Sequence, residues 1–262
     1  MSSTSNEQTS VALQVSDLSM RFGGLLAVDG VSLTVREKQI VSMIGPNGAG
    51  KTTVFNCLTG FYQPTGGSIM LRGENIAGMP GHQIAHRGVV RTFQNVRLFR
   101  GMTAVENLLV AQHRHLKSNM LAGLFKTPGF RQSEKQALEF AAYWLERMNL
   151  LDVANRSAGT LAYGQQRRLE IARCMMTRPN LLMLDEPAAG LNPRETEELK
   201  QLIATLRSDD GMTVLLIEHD MKLVMSISDH IVVINQGRPL ADGTPEAVRN
   251  HPEVIRAYLG ES

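Results

Sequence analysis

The stretch Gly45-Pro46-Asn47-Gly48-Ala49-Gly50-Lys51-Thr52 constrains this chain more than any other. It fits G-x-x-x-x-G-K-[ST], and its flanks suit that pattern. The apolar run Ile40-Val41-Ser42-Met43-Ile44 reads as a buried strand, and Thr53-Val54-Phe55-Asn56-Cys57-Leu58 reads as the first turns of a helix. Strand, glycine-rich loop and helix together predict an α/β core. Gly45, Gly48 and Gly50 let the backbone turn tightly and aim its N–H groups at phosphate oxygens. The helix adds its positive dipole end. Lys51 brings a full charge for the outer phosphates, and Thr52 offers a hydroxyl to Mg²⁺. A glycine-rich turn in front of an ordinary core helix would need neither residue.

Length and composition set the limits around that loop. The chain has 262 residues, enough for one large or two small domains, with 43% apolar and 20% charged residues. A net charge of +2 gives no case for nucleic-acid binding. Cys57 and Cys174 stand in unrelated contexts without metal-ligand spacing, which suits a reducing compartment. Residues 1–10 are polar and Ser/Thr-rich, so a disordered tail is expected there rather than a secretory signal. No apolar run approaches the roughly 20 residues of a membrane helix. A membrane role would therefore run through partners.

Alternation predicts strands at Val11–Val15 and Val31–Val35, with Phe22 in a loop between them. From its position alone, Phe22 is either a core residue or a ring for a base to stack on. A turn at Gln63–Gly67 precedes a strand at Ser68–Leu71, and a strand at Val89–Phe93 runs straight into Gln94. From Thr103 to about Asn155 the period is helical. Ser133-Glu134-Lys135-Gln136 reads as a helix start, with Leu138, Ala141, Leu145 and Met148 on one face, and 119–130 reads as a loop or short insert. The α/β pattern returns with strands at Leu181–Leu184, Thr213–Ile217 and Ile231–Ile234. Asn192-Pro193-Arg194-Glu195 opens a helix there, and 245–259 has helical character. The expected organisation is an α/β core over 11–94 and 179–262, with a helical subdomain over 95–178.

Two further stations carry chemistry. Leu181–Leu184 ends in Asp185-Glu186-Pro187, which would set Asp185 at the Mg²⁺ and Glu186 as general base towards the attacking water. His219 follows the next buried strand, where an imidazole could bond the γ-phosphate. Gln94 could reach Mg²⁺ or the water, although an isolated strand-end amide is more commonly plain surface.

In order, the phosphate loop, Gln94, Leu161-Ala162-Tyr163-Gly164-Gln165, Leu184-Asp185-Glu186-Pro187 and His219 resemble the ATP-binding-cassette ATPases over residues 11–260. The helix Gln165–Arg173 is the most specific part. Leu161–Met175, Asp185–Pro193, Ile217–Val224 and the tail Gly243–Gly260 are more closely similar to the LivG-type ATPase subunits of branched-chain amino-acid importers. The resemblance implies a mixed-sheet P-loop NTPase core flanked by helices, an antiparallel β subdomain and an inserted helical subdomain. It implies ATP and Mg²⁺ as ligands. Phe22, Val28, Gly45, Pro46, Asn47, Gly48, Ala49, Gly50, Lys51, Thr52 and Thr53 would bind nucleotide on one side, and Gly164 and Gln165 on the other. Thr52, Gln94 and Asp185 would serve the metal, and Glu186, His219, Lys51 and Gln94 the reaction.

The same resemblance implies partners: a second cassette, LivF-like in a heterodimer or identical in a homodimer, two permease subunits, and indirectly an amino-acid-binding protein outside the cell. The chain would then lie at the cytoplasmic face of the membrane. Some residues depart from the family pattern. Ala162 replaces the signature serine, Tyr163 a glycine, Asn192 an aspartate and Phe22 a tyrosine. The first two imply a weaker hold on the ATP that faces this signature. Urea, lipid or lipopolysaccharide transport, or a non-transport ATPase switch, are the alternatives. A GTPase would need an Asn-Lys-x-Asp motif, which does not occur.

Overall fold

The computed structural model describes residues 10–112 and 128–259. Residues 1–9 of the tail expected over 1–10, and most of the 119–130 segment, lie outside them. In chain order the elements are β1 (Val11–Phe22), β2 (Leu25–Arg36), β3 (Ile40–Ile44), α1 (Lys51–Leu58), β4 (Gly66–Leu71), β5 (Glu74–Asn75), α2 (Gly81–His86) and β6 (Val89–Arg91). Then follow α3 (Ala104–Gln112), α4 (Pro128–Arg147), α5 (Tyr163–Met175), β7 (Leu181–Asp185), α6 (Pro193–Ser208), β8 (Thr213–Ile217) and α7 (Met221–Ile227). The chain closes with β9 (His230–Asn235), β10 (Arg238–Gly243), α8 (Pro245–Arg249) and α9 (Pro252–Leu259).

The fold divides into two compact units. The first takes the chain up to Val89, Asn180–Glu186 and everything from Ile203 onward, and the second takes Val90–Pro179 and Pro187–Leu202. The sequence had grouped 187–202 with the α/β core; here they belong with the second unit.

The first unit holds two sheets. One is antiparallel, in the order β2-β1-β4-β5. The other runs β10-β9-β3-β8-β7, with Val89 of β6 at its edge. In it β3 lies parallel to β8 and β9, and β10 turns back antiparallel to β9. Every residue of β3, β7 and β8 is buried, as expected for strands covered on both faces. The period of two sorts those side chains. Val41 and Met43 join Val54, Phe55 and Leu58 of α1 and the inner residues of the antiparallel sheet in one core. Ile44 faces the other way, with Val224, Ile231, Val233, Val248 and Val254. The phosphate loop thus leaves the middle of a sheet clamped from both sides.

Several expectations need correction here. β1 and β2 run for 12 residues each, so Phe22 ends a strand rather than sitting in a loop. Helix α4 starts at Pro128, so Ser133–Gln136 lies inside it. Proline at a first helical position costs no hydrogen bond, which lets the helix begin there. The buried face of α4 is Ala137, Ala141, Trp144 and Leu145, with Met148 buried just past its end, while Leu138, one step round, is exposed. A reciprocal cap does occur, but at Thr103 and Glu106. The closing helical stretch breaks into α8 and α9 at Pro252, because the residue before a proline leaves the helical region.

Candidate active site

The glycines of the loop differ in what they permit. Gly48 and Gly50 hold φ of +79° and +99°, in the left-handed region that favours glycine. Gly45 is confined by space instead: a Cβ there would lie 2.1 Å from the carbonyl oxygen of Ile234. Helix α1 starts directly at Lys51. The Lys51 ammonium is buried and donates to the carbonyl oxygens of Gly45 at 2.6 Å and Pro46 at 3.0 Å. Burial lowers its pKa, opposed by the nearby carboxylates of Glu186 and then Asp185. Thr52 is exposed, and Thr53 half-buried. A helix N-terminus, a tight glycine nest and a poised ammonium together suit a polyphosphate.

Asp185 ends β7 and is buried, and Glu186 follows in a left-handed turn at φ +46°. The Glu186 amide donates to the Ile217 carbonyl oxygen at 2.9 Å, which ties this turn to the end of β8. His219 sits just beyond that end. Its Nδ1 lies 3.9 Å from Glu186 Oε2 and 3.8 Å from Glu218 Oε2. Three sequence-predicted residues, Asp185, Glu186 and His219, therefore meet at the C-terminal edge of β7 and β8, with Lys51 within electrostatic reach of both carboxylates.

Glu218 went unassigned in the sequence, yet it is fully buried. Its carboxylate accepts from the amides of His219 and Asp220. It fixes the turn that presents His219, while Asp220 caps α7 through the amides of Lys222 and Leu223. An acid placed directly after a buried strand was the available signal.

The floor of the loop comes from elsewhere in the chain. The Gly237 amide donates to the Ala49 carbonyl oxygen at 3.0 Å, and the Gly237 carbonyl accepts from the Asp29 amide at 2.8 Å. Val28 is fully buried and packs against Gly50, so it supports the loop from beneath. The Phe22 ring is exposed and forms a T-shaped pair with Tyr62, with centroids 5.1 Å apart.

Gln94, Gly164 and Gln165 belong to the second unit. Gln94 lies beyond the end of β6 at Arg91, not at the strand end. The carbonyl oxygens of Phe93 and Gln94 are both taken by the Arg167 guanidinium, which draws the backbone out of a strand path. A Cβ on Gly164 would lie 2.6 Å from Glu195 Oε1, so the Glu195 side chain would have to shift to admit one. The Gln165 side chain accepts from the Ala162 amide at 3.1 Å, reaching back over the start of α5. Arg167 and Glu170 were also missed by sequence reasoning. Charged residues in a helix pass as surface unless their burial is known.

Among the described residues, no cluster of three or more His, Cys, Asp or Glu side chains could hold a metal by itself. Mg²⁺ keeps several waters and takes oxygens from substrate phosphates, so few protein ligands serve it. Thr52 and Asp185 provide a hydroxyl and a carboxylate of the appropriate hard-oxygen kind.

Comparison with known proteins agrees with this geometry. Residues 28–189 match the ABC transporter family, and residues 238–262 match the branched-chain amino acid ATP-binding cassette transporter family. The high-affinity branched-chain amino acid transport ATP-binding protein BraF of Pseudomonas aeruginosa is 79% identical, covering 95% of this chain and 98% of its own. The protein LivG of Escherichia coli, of the same description, is 68% identical over the same shares. An ATP-binding cassette of an ABC transporter in its ADP conformation gives a TM-score of 0.84 at 33% identity, covering 97% of this chain and 100% of that one. A buried-strand phosphate loop, two strand-end carboxylates and this likeness over nearly the whole length lead to one assignment: the chain belongs to the ATP-binding cassettes of ABC transporters, in the group of branched-chain amino acid transport ATP-binding proteins.

Proposed function

We propose that this chain hydrolyses ATP to drive the import of branched-chain amino acids through a membrane transporter. The observation that carries the reading is the meeting of Lys51, Asp185, Glu186 and His219 around one glycine nest. The cargo rests on the 79% identity to BraF.

The residues divide the work. Backbone N–H groups between Gly45 and Thr53, of which Pro46 has none, and the Lys51 ammonium hold the β- and γ-phosphates, and the Phe22 ring takes the base. Lys51 Nζ carries three N–H groups, so it can keep its two loop carbonyls and still donate to a phosphate. Thr52 and Asp185, and Gln94 by the family pattern, would hold Mg²⁺, which would neutralise charge that builds on the phosphate oxygens. Glu186 takes the proton of the attacking water, and His219 orients against the γ-phosphate and Glu186. A second cassette supplies its signature helix to this site, and this chain's Gly164 and Gln165 serve the partner's ATP. Closure of the pair around two ATP molecules is the step that moves two permease subunits. Attachment to the membrane runs through those permeases; no described helix is long and apolar enough to cross a membrane. A binding protein outside the membrane delivers the cargo.

The test is transport by the reconstituted system. The chain, its second cassette and its permeases are placed in liposomes with ATP inside and a leucine-loaded binding protein outside. Leucine, isoleucine and valine should enter only with hydrolysable ATP. Uptake of urea in their place, or ATP turnover indifferent to any amino acid, would overturn the cargo. No turnover at all would overturn the enzyme.

A further inference from the structure

Arg167 and Glu170 lie one turn apart on α5 and are both fully buried. Ionised groups are costly to bury, and this pair is spent on contacts with one segment. Arg167 Nη1 donates to the Phe93 carbonyl oxygen at 2.7 Å and to Glu170 Oε2 at 3.1 Å. Its Nη2 donates to the Gln94 carbonyl oxygen at 2.7 Å and to the Tyr163 hydroxyl at 3.1 Å. Glu170 Oε1 accepts from the Arg97 amide at 3.1 Å. Two side chains of one helix thus hold the backbone of Phe93, Gln94 and Arg97.

Only a planar fork with donors on both arms meets two adjacent carbonyls, a carboxylate and a phenol together. A lysine in that place is a single point donor. Tyr163 is the clamp's outlet to the surface: it stands at the first turn of α5, exposed, with its oxygen on the guanidinium. The ring that replaces the family's glycine is therefore built into the clamp.

We propose that Arg167 and Glu170 are positioning residues that lock Gln94 to the signature helix, so that whatever engages Tyr163 at the start of α5 also sets the place of Gln94. This rests on the ATPase reading, in which Gln94 serves the chain's own nucleotide and the start of α5 serves the partner's. The clamp then links the two ATP sites through one rigid path. It acts on turnover through Gln94 and contributes nothing to nucleotide affinity at the phosphate loop.

The test uses the full reconstituted transporter with three variants: the double Arg167→Met/Glu170→Met, the conservative Arg167→Lys, and Tyr163→Phe. The double variant removes both charges and so leaves no buried ion unpaired. Hydrogen exchange over residues 93–97 should speed up in it. Its kcat should fall about tenfold with KM for ATP within about twofold of wild type, the pattern of a lost transition-state interaction. Arg167→Lys should recover only part of the rate. Tyr163→Phe removes one oxygen and keeps the fold in any event, and should lower kcat about two- to threefold at constant KM.

Unchanged exchange over 93–97 in the double variant would overturn the clamp. Faster exchange with wild-type kcat, in the double variant or in Tyr163→Phe, would overturn the coupling. Failure of the ATPase reading shows separately, as an inactive wild-type complex.

Discussion

The ammonium of Lys51 donates to the carbonyl oxygen of Gly45, the first residue of the same loop, at 2.6 Å. The loop therefore holds its own cation in place through two of its carbonyls. Lys51→Met should remove ATP binding, with affinity for a fluorescent ATP analogue falling by at least about 100-fold, the scale of a lost charge-assisted contact. The same variant has a pH signature. Burial lowers the Lys51 pKa, so between that value and the ordinary lysine value the folded state binds fewer protons than the unfolded. The group makes stability rise with pH across that window. The slope of urea midpoint against pH, measured into the alkaline range, should be less positive in Lys51→Met than in wild type.

Glu186 adopts φ +46° while its amide bonds the Ile217 carbonyl, so its backbone is set independently of its side chain. Glu186→Gln keeps that backbone and the side-chain shape but loses the base. Turnover should drop by about 100-fold or more while ATP binding stays, the expected scale for a lost general base. With ATP and Mg²⁺, the variant should run as a closed cassette pair in size-exclusion chromatography. A monomer, or turnover near wild type, would take Glu186 out of the role.

What the sequence discloses follows the range of each interaction. The loop from Gly45 to Thr52, the acids after β7 and the Asn192 cap are local patterns, readable because strand, turn and helix chemistry repeats within a few residues. The Asn192 side chain does accept from the Glu195 amide at 3.0 Å. Long-range facts were closed to such reading. Nothing near Val28 or Gly237 says that they floor the loop, and nothing in Gln165–Arg173 says that Arg167 faces inward. Phe22 looked like a loop residue because β1 carries bulges that disturb its alternation. Leu138 looked buried because apolar character alone fixes a helix face only to within one residue.

Ala162 is the N-cap of α5 and has no side-chain oxygen to give it. Only the return half of a capping box is present, from Gln165 to the Ala162 amide. Ala162→Ser should complete it and stabilise the fold by about 1 kcal/mol, read as a higher melting temperature. The same hydroxyl matches the family signature, so turnover of the assembled pair should rise. Stability gained without any gain in turnover would separate the cap from the catalytic effect.

Two glycines of one loop should respond differently to alanine. At Gly48 a Cβ meets nothing within 4 Å, so Gly48→Ala pays only for its positive φ, about 1–2 kcal/mol. At Gly45 the added carbon lies 2.1 Å from a backbone oxygen of β9, which cannot give way without moving the strand. Gly45→Ala should lose far more stability, or fail to fold. Equal urea midpoints for the two variants would show that the loop does not press on β9 as described.

Both cysteines are free and buried, Cys57 on α1 behind the loop and Cys174 on α5. Burial pushes the Cys57 thiol up to about 11 and is the leading cause that brings Cys174 to about 12. At pH 8 both thiols therefore stay protonated and inert in the folded chain. Iodoacetamide should label neither in native protein and both once guanidinium unfolds it, with mass spectrometry counting the adducts. The sign of the linkage gives a second readout. Each folded-state value lies above the unfolded one, so the folded chain holds more protons in between, and stability contributed by the buried thiols is lost as pH rises through that window. Cys57→Ser and Cys174→Ser should each make the alkaline slope of urea midpoint against pH more positive than in wild type, the opposite of the change in Lys51→Met. Rapid native labelling of Cys57 would mean that α1 opens readily, and the phosphate loop ahead of it would then lack the rigid seat that positions Lys51.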